Sequence, residues 1–275
     1  MRPDLAAALK ITEEALQDLL FSAAAGLTEM AGWMAHDAGD DTTAEQHFRR
    51  ALELASVSGD HQLTAHIYAS LAHLSLSRGD SRRAAAYGQA GGKTITKWHS
   101  HTAIRARLHA MLARSAAMAG NRTACWEHLR AAETLVAASG GIGEPLSPWT
   151  SDFDHGSLAS EAARCFRQLG DLTEAERQAR RVIEHRPPSR ARSRAFGQLA
   201  LADIHLARRE PEPASQLATA VLAATGQLSS ALVAGQLHRI ADKLARFHAA
   251  PDVADFLQQH QSALARTLEP GSAHD

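Results

Sequence analysis

The sequence predicts an all-α chain in which about six helix pairs stack into a right-handed superhelical solenoid. Three observations carry this reading. Turn dipeptides recur at Gly39-Asp40, Gly79-Asp80, Gly120-Asn121, Gly170-Asp171 and Arg209-Glu210, at spacings of 40, 41, 50 and 39 residues. Small and apolar residues recur at helical spacing on both sides of each turn, as in EAARCFRQLGDLTEAERQARRVIEHRP (161–187), where Ala175, Ala179 and Val182 share one face and Pro187 ends the helix. Hydrophobic residues make up 45% of the chain and aromatic residues only 5%, a composition that suits thin helical layers better than a deep aromatic core. A fixed period near 40 residues is the mark of stacked two-helix units, and small residues on the facing sides let paired helices approach closely.

The pattern of a Gly turn, small residues at fixed offsets and a closing proline is that of the tetratricopeptide repeat, while the period near 40 is shared with HEAT-like units, so the solenoid is fixed more firmly than its repeat class. Residues 1–20 read as a helical lead-in whose Leu5, Leu9, Leu16 and Leu20 are available to cap the array, which runs from 21 to 265. Repeat one pairs residues 21–40 with 42–60, placing Ala44, Phe48 and Ala51 where the reference stretch has Ala175, Ala179 and Val182. Repeat two pairs 61–80 with 81–98, and its second helix is expected to be weak because Gly88, Gly91 and Gly92 each cost about 1 kcal/mol relative to Ala. Repeat three runs from His101 to Ser139 with Cys125, Leu129 and Ala132 inside. A Gly/Pro/Ser-rich loop follows at 139–156, where Trp149 and Phe153 predict packing on the array. Repeat four is the reference stretch. Repeat five keeps Ala214, Ala218 and Val221 but lacks a turn glycine, so Pro211 and Pro213 are expected to make the break. Repeat six diverges, as a terminal cap does, and residues 266–275 are expected to be disordered.

A net charge of -1 supplies no field for holding nucleic acid or an acidic membrane, so direct nucleic-acid binding is not expected. Cys125 and Cys165 fall among small apolar neighbours and read as packing residues; without metal-type spacing they favour a reducing, cytoplasmic setting. Glu13, Glu14 and Asp18 interrupt any signal-peptide core, and no apolar run reaches the roughly 18 residues of a membrane span. The sixteen histidines show no HExxH or His/Cys cluster, and His99 and His101 at a helix start are expected to point apart into solvent. No metal or cofactor is expected. With no nucleophile elbow, phosphate loop or paired-carboxylate motif, neither is an enzyme.

LTEMAGWMAHDAGDDTTAEQHFRRALELA (27–55) and PWTSDFDHGSLASEAARCFRQLGD (148–171) resemble the C-terminal tetratricopeptide region of actinobacterial transcriptional regulators that begin with a Cro/C1-type helix-turn-helix. The resemblance implies a region that senses a signal or mediates assembly, in regulators that are two-fold dimers on DNA. No helix-turn-helix precedes the repeats in these residues, leaving open a fragment of a longer regulator or a free-standing relative. The function expected is a non-enzymatic ligand- or peptide-binding module. The alternatives are a stand-alone protein-protein interaction scaffold and a biosynthetic enzyme built on the repeats.

The family brings no agreed binding residues, so candidates come from register. The first helix of each pair lines the concave side of such an array. Counting back from each turn places Glu29, Trp33, His36 and Asp37 there, then His66 and His73, then Arg107 and Arg114. Arg164, Arg167 and Gln168 follow, then Phe196 and Asp203, then His238, Asp242 and Arg246. Four guanidinium groups (Arg107, Arg114, Arg164, Arg167) repel one another unless answered, and Asp203 and Asp242 are the acids on hand. The expected ligand is an anion, either a peptide's C-terminal carboxylate or an acidic small molecule, held by these arginines with Trp33, His36 and Phe196 in contact. The competing reading makes these residues a solvated face, paired among themselves.

Overall fold

Each Gly-Asp turn closes one helix and opens the next. Gly39, Gly79, Gly120 and Gly170 adopt φ values of 85°, 80°, 73° and 79°, the left-handed region that only glycine enters without strain. The following residue then sends its N–H back to the closing turn (Asp40 to Ala35 O, Asp80 to Ser75 O and Asn121 to Ala116 O, each 2.9 Å). The same residue's side chain caps the next helix: Asp40 accepts from Thr43 N, Asp80 from Arg83 N, Asn121 from Ala124 N and Asp171 from Glu174 N.

The computed structural model describes residues 3–96, 101–138, 147–225 and 230–268, and among them every regular element is helical. The twelve α-helices are α1 (Pro3–Asp37), α2 (Asp41–Val57), α3 (His61–Ser77), α4 (Ser81–Thr94), α5 (Thr102–Met118), α6 (Arg122–Ala137), α7 (His155–Gln168), α8 (Leu172–His185), α9 (Ala191–Ala207), α10 (Pro211–Thr225), α11 (Ala231–Leu244) and α12 (Pro251–Leu268). They form two units, Met1–Leu169 and Gly170–Asp275. In the first, α1 packs on α2, α3 on α4 and α5 on α6, while α1, α3, α5 and α7 contact one another in succession. In the second, α9 packs on α8 and α10, α11 on α9 and α10, and α12 chiefly on α10. Sequential pairing of this kind is consistent with a repeat array. Among the described residues no helix is long and apolar enough to cross a membrane.

The residues at fixed offsets after each turn form the interior. Ala44, Phe48 and Ala51 are buried, as are Cys125, Leu129 and Ala132, then Ala175, Ala179 and Val182, then Ala214, Ala218 and Val221. In α4 the same offsets hold Ala84, Gly88 and Gly91, all buried. Helix α4 continues through all three glycines and ends at Thr94, short of the 98 assigned to it. A Cβ on Gly88 would meet Leu112 at 2.9 Å and one on Gly91 would meet Leu108 at 2.6 Å, so the missing side chains are filled by leucines from α5.

An ion-pair device recurs across the pairs. Glu45 of α2 accepts from Arg78, the residue after α3, and from Arg83, and pairs with Arg49 one turn along. Glu176 of α8 accepts in the same way from Arg208, the residue after α9, and from Arg180. Both carboxyls are held below the usual carboxylate range, with burial opposing their arginine partners. The device recurs in both units; in the first, Glu45, Arg78 and Arg83 also line a cavity of about 230 Å³ with Tyr87.

Several expectations need correction. Residues 1–20 are not a separate lead-in, because Pro3–Asp37 is one continuous helix. Leu16 and Leu20 do not cap the array but stand 57% and 63% exposed; the side chains of Leu5 and Leu9 lie outside the described residues. His101 is buried rather than solvated, and His99 lies outside the described residues. The last helix extends to Leu268, past the end assigned to the array, and 269–275 lie outside the described residues. Of the 139–156 loop, 139–146 are likewise outside. The remainder packs as expected: Ser147 N donates to Gln62 Oε1 at 2.8 Å, Ser147 Oγ to Asp60 Oδ2 at 2.9 Å, and a Cβ on Gly26 would meet the Trp149 ring at 2.4 Å.

At the fifth turn the chain does not rely on proline alone. Arg209 itself takes φ 63°, the one positive-φ non-glycine among the described residues, and Glu210 N returns to His205 O at 2.9 Å as at the glycine turns. An L-residue held in this region is strained by roughly 1–2 kcal/mol. Arg209→Gly is therefore expected to raise stability by about 1 kcal/mol after the entropy of the more flexible unfolded chain is subtracted. Urea unfolding reads this as a higher midpoint at unchanged slope; a lower midpoint would refute it.

Candidate functional site

The position six residues before each turn glycine is occupied by Trp33, His73, Arg114 and Arg164, and two turns earlier on α3 and α5 stand His66 and Arg107. Because α1, α3, α5 and α7 lie in succession, helical spacing of seven brings these side chains onto one wall of the first unit. There they form a continuous polar cluster that is mostly withdrawn from solvent: Glu29, His36, His66 and Ser70 are buried, and Trp33, His73, Arg107, Arg114 and Arg164 are half-buried.

Glu29 is the hub of the near end. One of its oxygens accepts from Trp33 Nε1 at 2.6 Å and from Ser70 Oγ at 2.7 Å, and lies 3.6 Å from His66 Nε2. Arg107 continues the chain, donating to Ser70 Oγ at 3.1 Å and lying 2.9 and 2.8 Å from the two ring nitrogens of His66, so it donates to whichever is unprotonated. Its guanidinium also sits 5.7 Å from the Trp33 ring centre, within cation-π range. Trp33 touches His73 at 5.2 Å and His36 at 5.8 Å between ring centres, and His36 Nδ1 is 2.6 Å from Asp41 Oδ1 across the first turn.

At the far end, Arg114 Nη1 and Glu161 Oε2 are 3.1 Å apart with their side chains 11% and 12% exposed. The pair is in ionic contact but not aligned for a hydrogen bond, so both buried atoms keep that capacity unused within the protein. Arg164, one turn beyond Glu161 on α7, shares its field and opposes Arg114. Burial lowers the Arg107 and Arg164 guanidinium groups from the usual arginine range, with the acids offsetting part of it. Burial also pushes the His66 imidazole well below its ordinary range, reinforced by Arg107. His73 is depressed likewise by burial and then by Arg114, Arg164, His36 and Arg107. Both rings are therefore neutral near pH 7. Around these two rings stand the guanidinium groups of Arg107, Arg114 and Arg164 and the carboxylates of Glu29 and Glu161, with Asp41 held against His36 at the turn.

The acids beside the arginines within the first unit are Glu29 and Glu161; Asp203 and Asp242 belong to the second unit. Asp203 pairs with Lys243 within the second unit, and Asp242 lies 3.9 Å from His238. Phe196 packs on the second unit's core with Arg192 over its ring at 5.2 Å. Arg167 and Asp37 are half-buried and engaged with other groups. Sequence reasoning missed Glu161 and Ser70; each sits nine residues before its turn glycine, the register that would have found them. Of the competing reading, the pairing of these residues among themselves is seen in the first unit, where Glu29, Ser70, His66 and Arg107 are joined and Arg114 meets Glu161, although burial withdraws them from solvent; His238 and Asp242 of the second unit are exposed. Cys165 adjoins the wall and contacts Cys125; that contact and burial hold its thiol well above the ordinary range, so it stays a protonated packing group. Among the described residues no three His, Cys, Asp or Glu side chains are grouped to hold a metal ion.

No protein-family model matches the chain, and no curated protein does. What it is like rests on its own helix pairs.

Proposed function

We propose that the chain is a non-enzymatic binding module that takes a singly charged carboxylate ligand on the wall formed by α1, α3, α5 and α7. One observation carries this reading: three partly buried guanidinium groups face two carboxylates, with Arg114 and Glu161 in contact but not hydrogen-bonded to each other. A carboxylate approaching Arg114 and Arg164 would be held through charge-assisted, bidentate contacts. Trp33 and His73 would give the apolar and stacking surface beside it. A peptide's C-terminal carboxylate and a small aromatic acid both have this chemistry.

In the finer reading, the helix pairs are tetratricopeptide repeats wound as a right-handed superhelical solenoid. The resemblance to the repeat region of Cro/C1-type regulators supports placing the module in signal sensing or assembly, with DNA read by other residues and with the cytoplasm as its setting. The recurring turn period supports the repeat reading.

The test is affinity selection by mass spectrometry from a random pentapeptide pool with free C-termini, the same pool amidated, and a set of aromatic monocarboxylates. Enrichment confined to free carboxylates is expected. Enrichment of the amidated pool, or sequence-selective DNA binding by the 275 residues, would overturn the proposal.

A further inference from the structure

Helix α1 is apolar on two opposite sides, and only one of them is covered. Ser22, Ala25, Glu29, Gly32 and His36 face the array and are buried. On the opposite side Leu16, Leu19, Leu20, Leu27, Met30 and Met34 are 54–69% exposed, a concentration of large apolar side chains matched by no other helix among the described residues. A helix with two apolar sides is ordinarily enclosed on both.

The spacing says what kind of surface covers it. Leu16, Leu20, Ala23, Leu27, Met30 and Met34 alternate steps of four and three residues, the 3.5-residue repeat by which one helix seats against another along a seam. From Leu16 to Met34 the seam is about 27 Å long at 1.5 Å per residue. Between Leu16 and Met34 the charged residues are Asp18 and Glu29, both in the register of Ser22 and Ala25 on the side away from the seam. The seam thus carries nothing that selects a charged partner and nothing that repels its own copy. At on the order of 100 Å² of exposed side chain each, the six large residues would cover about 600 Å² per copy, close to the roughly 800 Å² per partner of a standard interface. Within the chain, the longest segment outside the described residues, 139–146, brings only Ile142 and Leu146, too few apolar side chains to cover it.

We infer that two copies of this chain associate through α1, seam against seam about a two-fold axis, as a self-complementary patch requires. The inference is independent of the ligand wall, which uses the other side of the helix.

Sedimentation velocity of the 275-residue chain over about a hundredfold concentration range is the test, because a self-association is read as a mass that rises with concentration. The parent is expected to reach twice its 29.5 kDa mass. Leu20→Glu/Leu27→Glu is expected to weaken association at least about 100-fold with helicity unchanged, since central apolar contacts carry most interface energy. Leu27→Gln/Met30→Gln, which adds no charge, should act in the same direction if the first variant folds poorly. Val57→Glu, at an exposed apolar position on α2, should stay dimeric. A monomeric parent, or dimers that survive both α1 variants, would overturn the inference.

Discussion

Arg114→Ala is expected to cost about 3 kcal/mol of stability, the lower end of the 3–5 kcal/mol seen when one partner of a buried ion pair is removed. Glu161 would keep its charge in a site where its side chain is 12% exposed, with Arg164 one turn along the same helix still supplying part of the compensation. Removing both partners should cost less than the sum of the two single losses, because Arg114→Ala/Glu161→Ala leaves no uncompensated carboxylate, although Arg164 then loses the acid that offsets its burial. Urea unfolding of the two single variants and the double variant closes the cycle. If the double variant costs the sum of the singles, the 3.1 Å contact contributes nothing and the far end of the wall is not a coupled pair.

Acid should loosen the first unit in a range where ordinary carboxylates are still ionised. His66 and His73 are both held well below the ordinary imidazole value of about 6.5, in each case first by burial and then by the adjacent positive groups. Below about pH 6.5 the unfolded chain takes up protons at these positions while the folded chain does not, so stability is full above that pH and falls as pH drops. Each histidine contributes a slope approaching 1.4 kcal/mol per pH unit, and together they should remove roughly 2 kcal/mol between pH 6.5 and 5.5. His109, His128 and His260 are depressed in the same direction, so the parent's total loss is not assigned to the wall. The assignment comes from His66→Gln/His73→Gln, which should show a shallower fall in the urea midpoint over this range. A variant as acid-sensitive as the parent would mean that the two rings are protonated in the folded state.

Local chemistry made most of the fold legible in advance. A Gly with positive φ followed by a capping Asp or Asn is a backbone requirement that prints itself at Gly39, Gly79, Gly120 and Gly170. The buried offsets after each turn follow from helix geometry once the turns are placed. What stayed hidden depended on neighbours distant in sequence. Gly88 and Gly91 look like helix breakers until Leu112 and Leu108 are seen filling their space. Arg209 gives no sign that its backbone has taken the glycine conformation. The start of α1 was legible as helix but not as part of the same helix as Trp33, because no turn chemistry marks a boundary and none exists.

The wall was half legible for a related reason. Register placed Trp33, His73, Arg114 and Arg164 on equivalent positions, and the structure brings them onto one wall. Which acids answer the arginines is a matter of which helices touch. Glu161 lies on α7 against α5, so it reaches Arg114 although the two are far apart in sequence.

The most direct measurement is calorimetric titration of one selected pentapeptide, in free and C-terminally amidated form, into the parent and Arg164→Gln. The parent should bind the free carboxylate at least about tenfold more tightly than the amide, since a charge-assisted pair contributes about 1.5–3 kcal/mol. Arg164→Gln, with folding verified by its urea midpoint, should lose most of that difference. Equal binding of the two peptide forms by the parent, or an undiminished preference in Arg164→Gln, would contradict a carboxylate site on this wall.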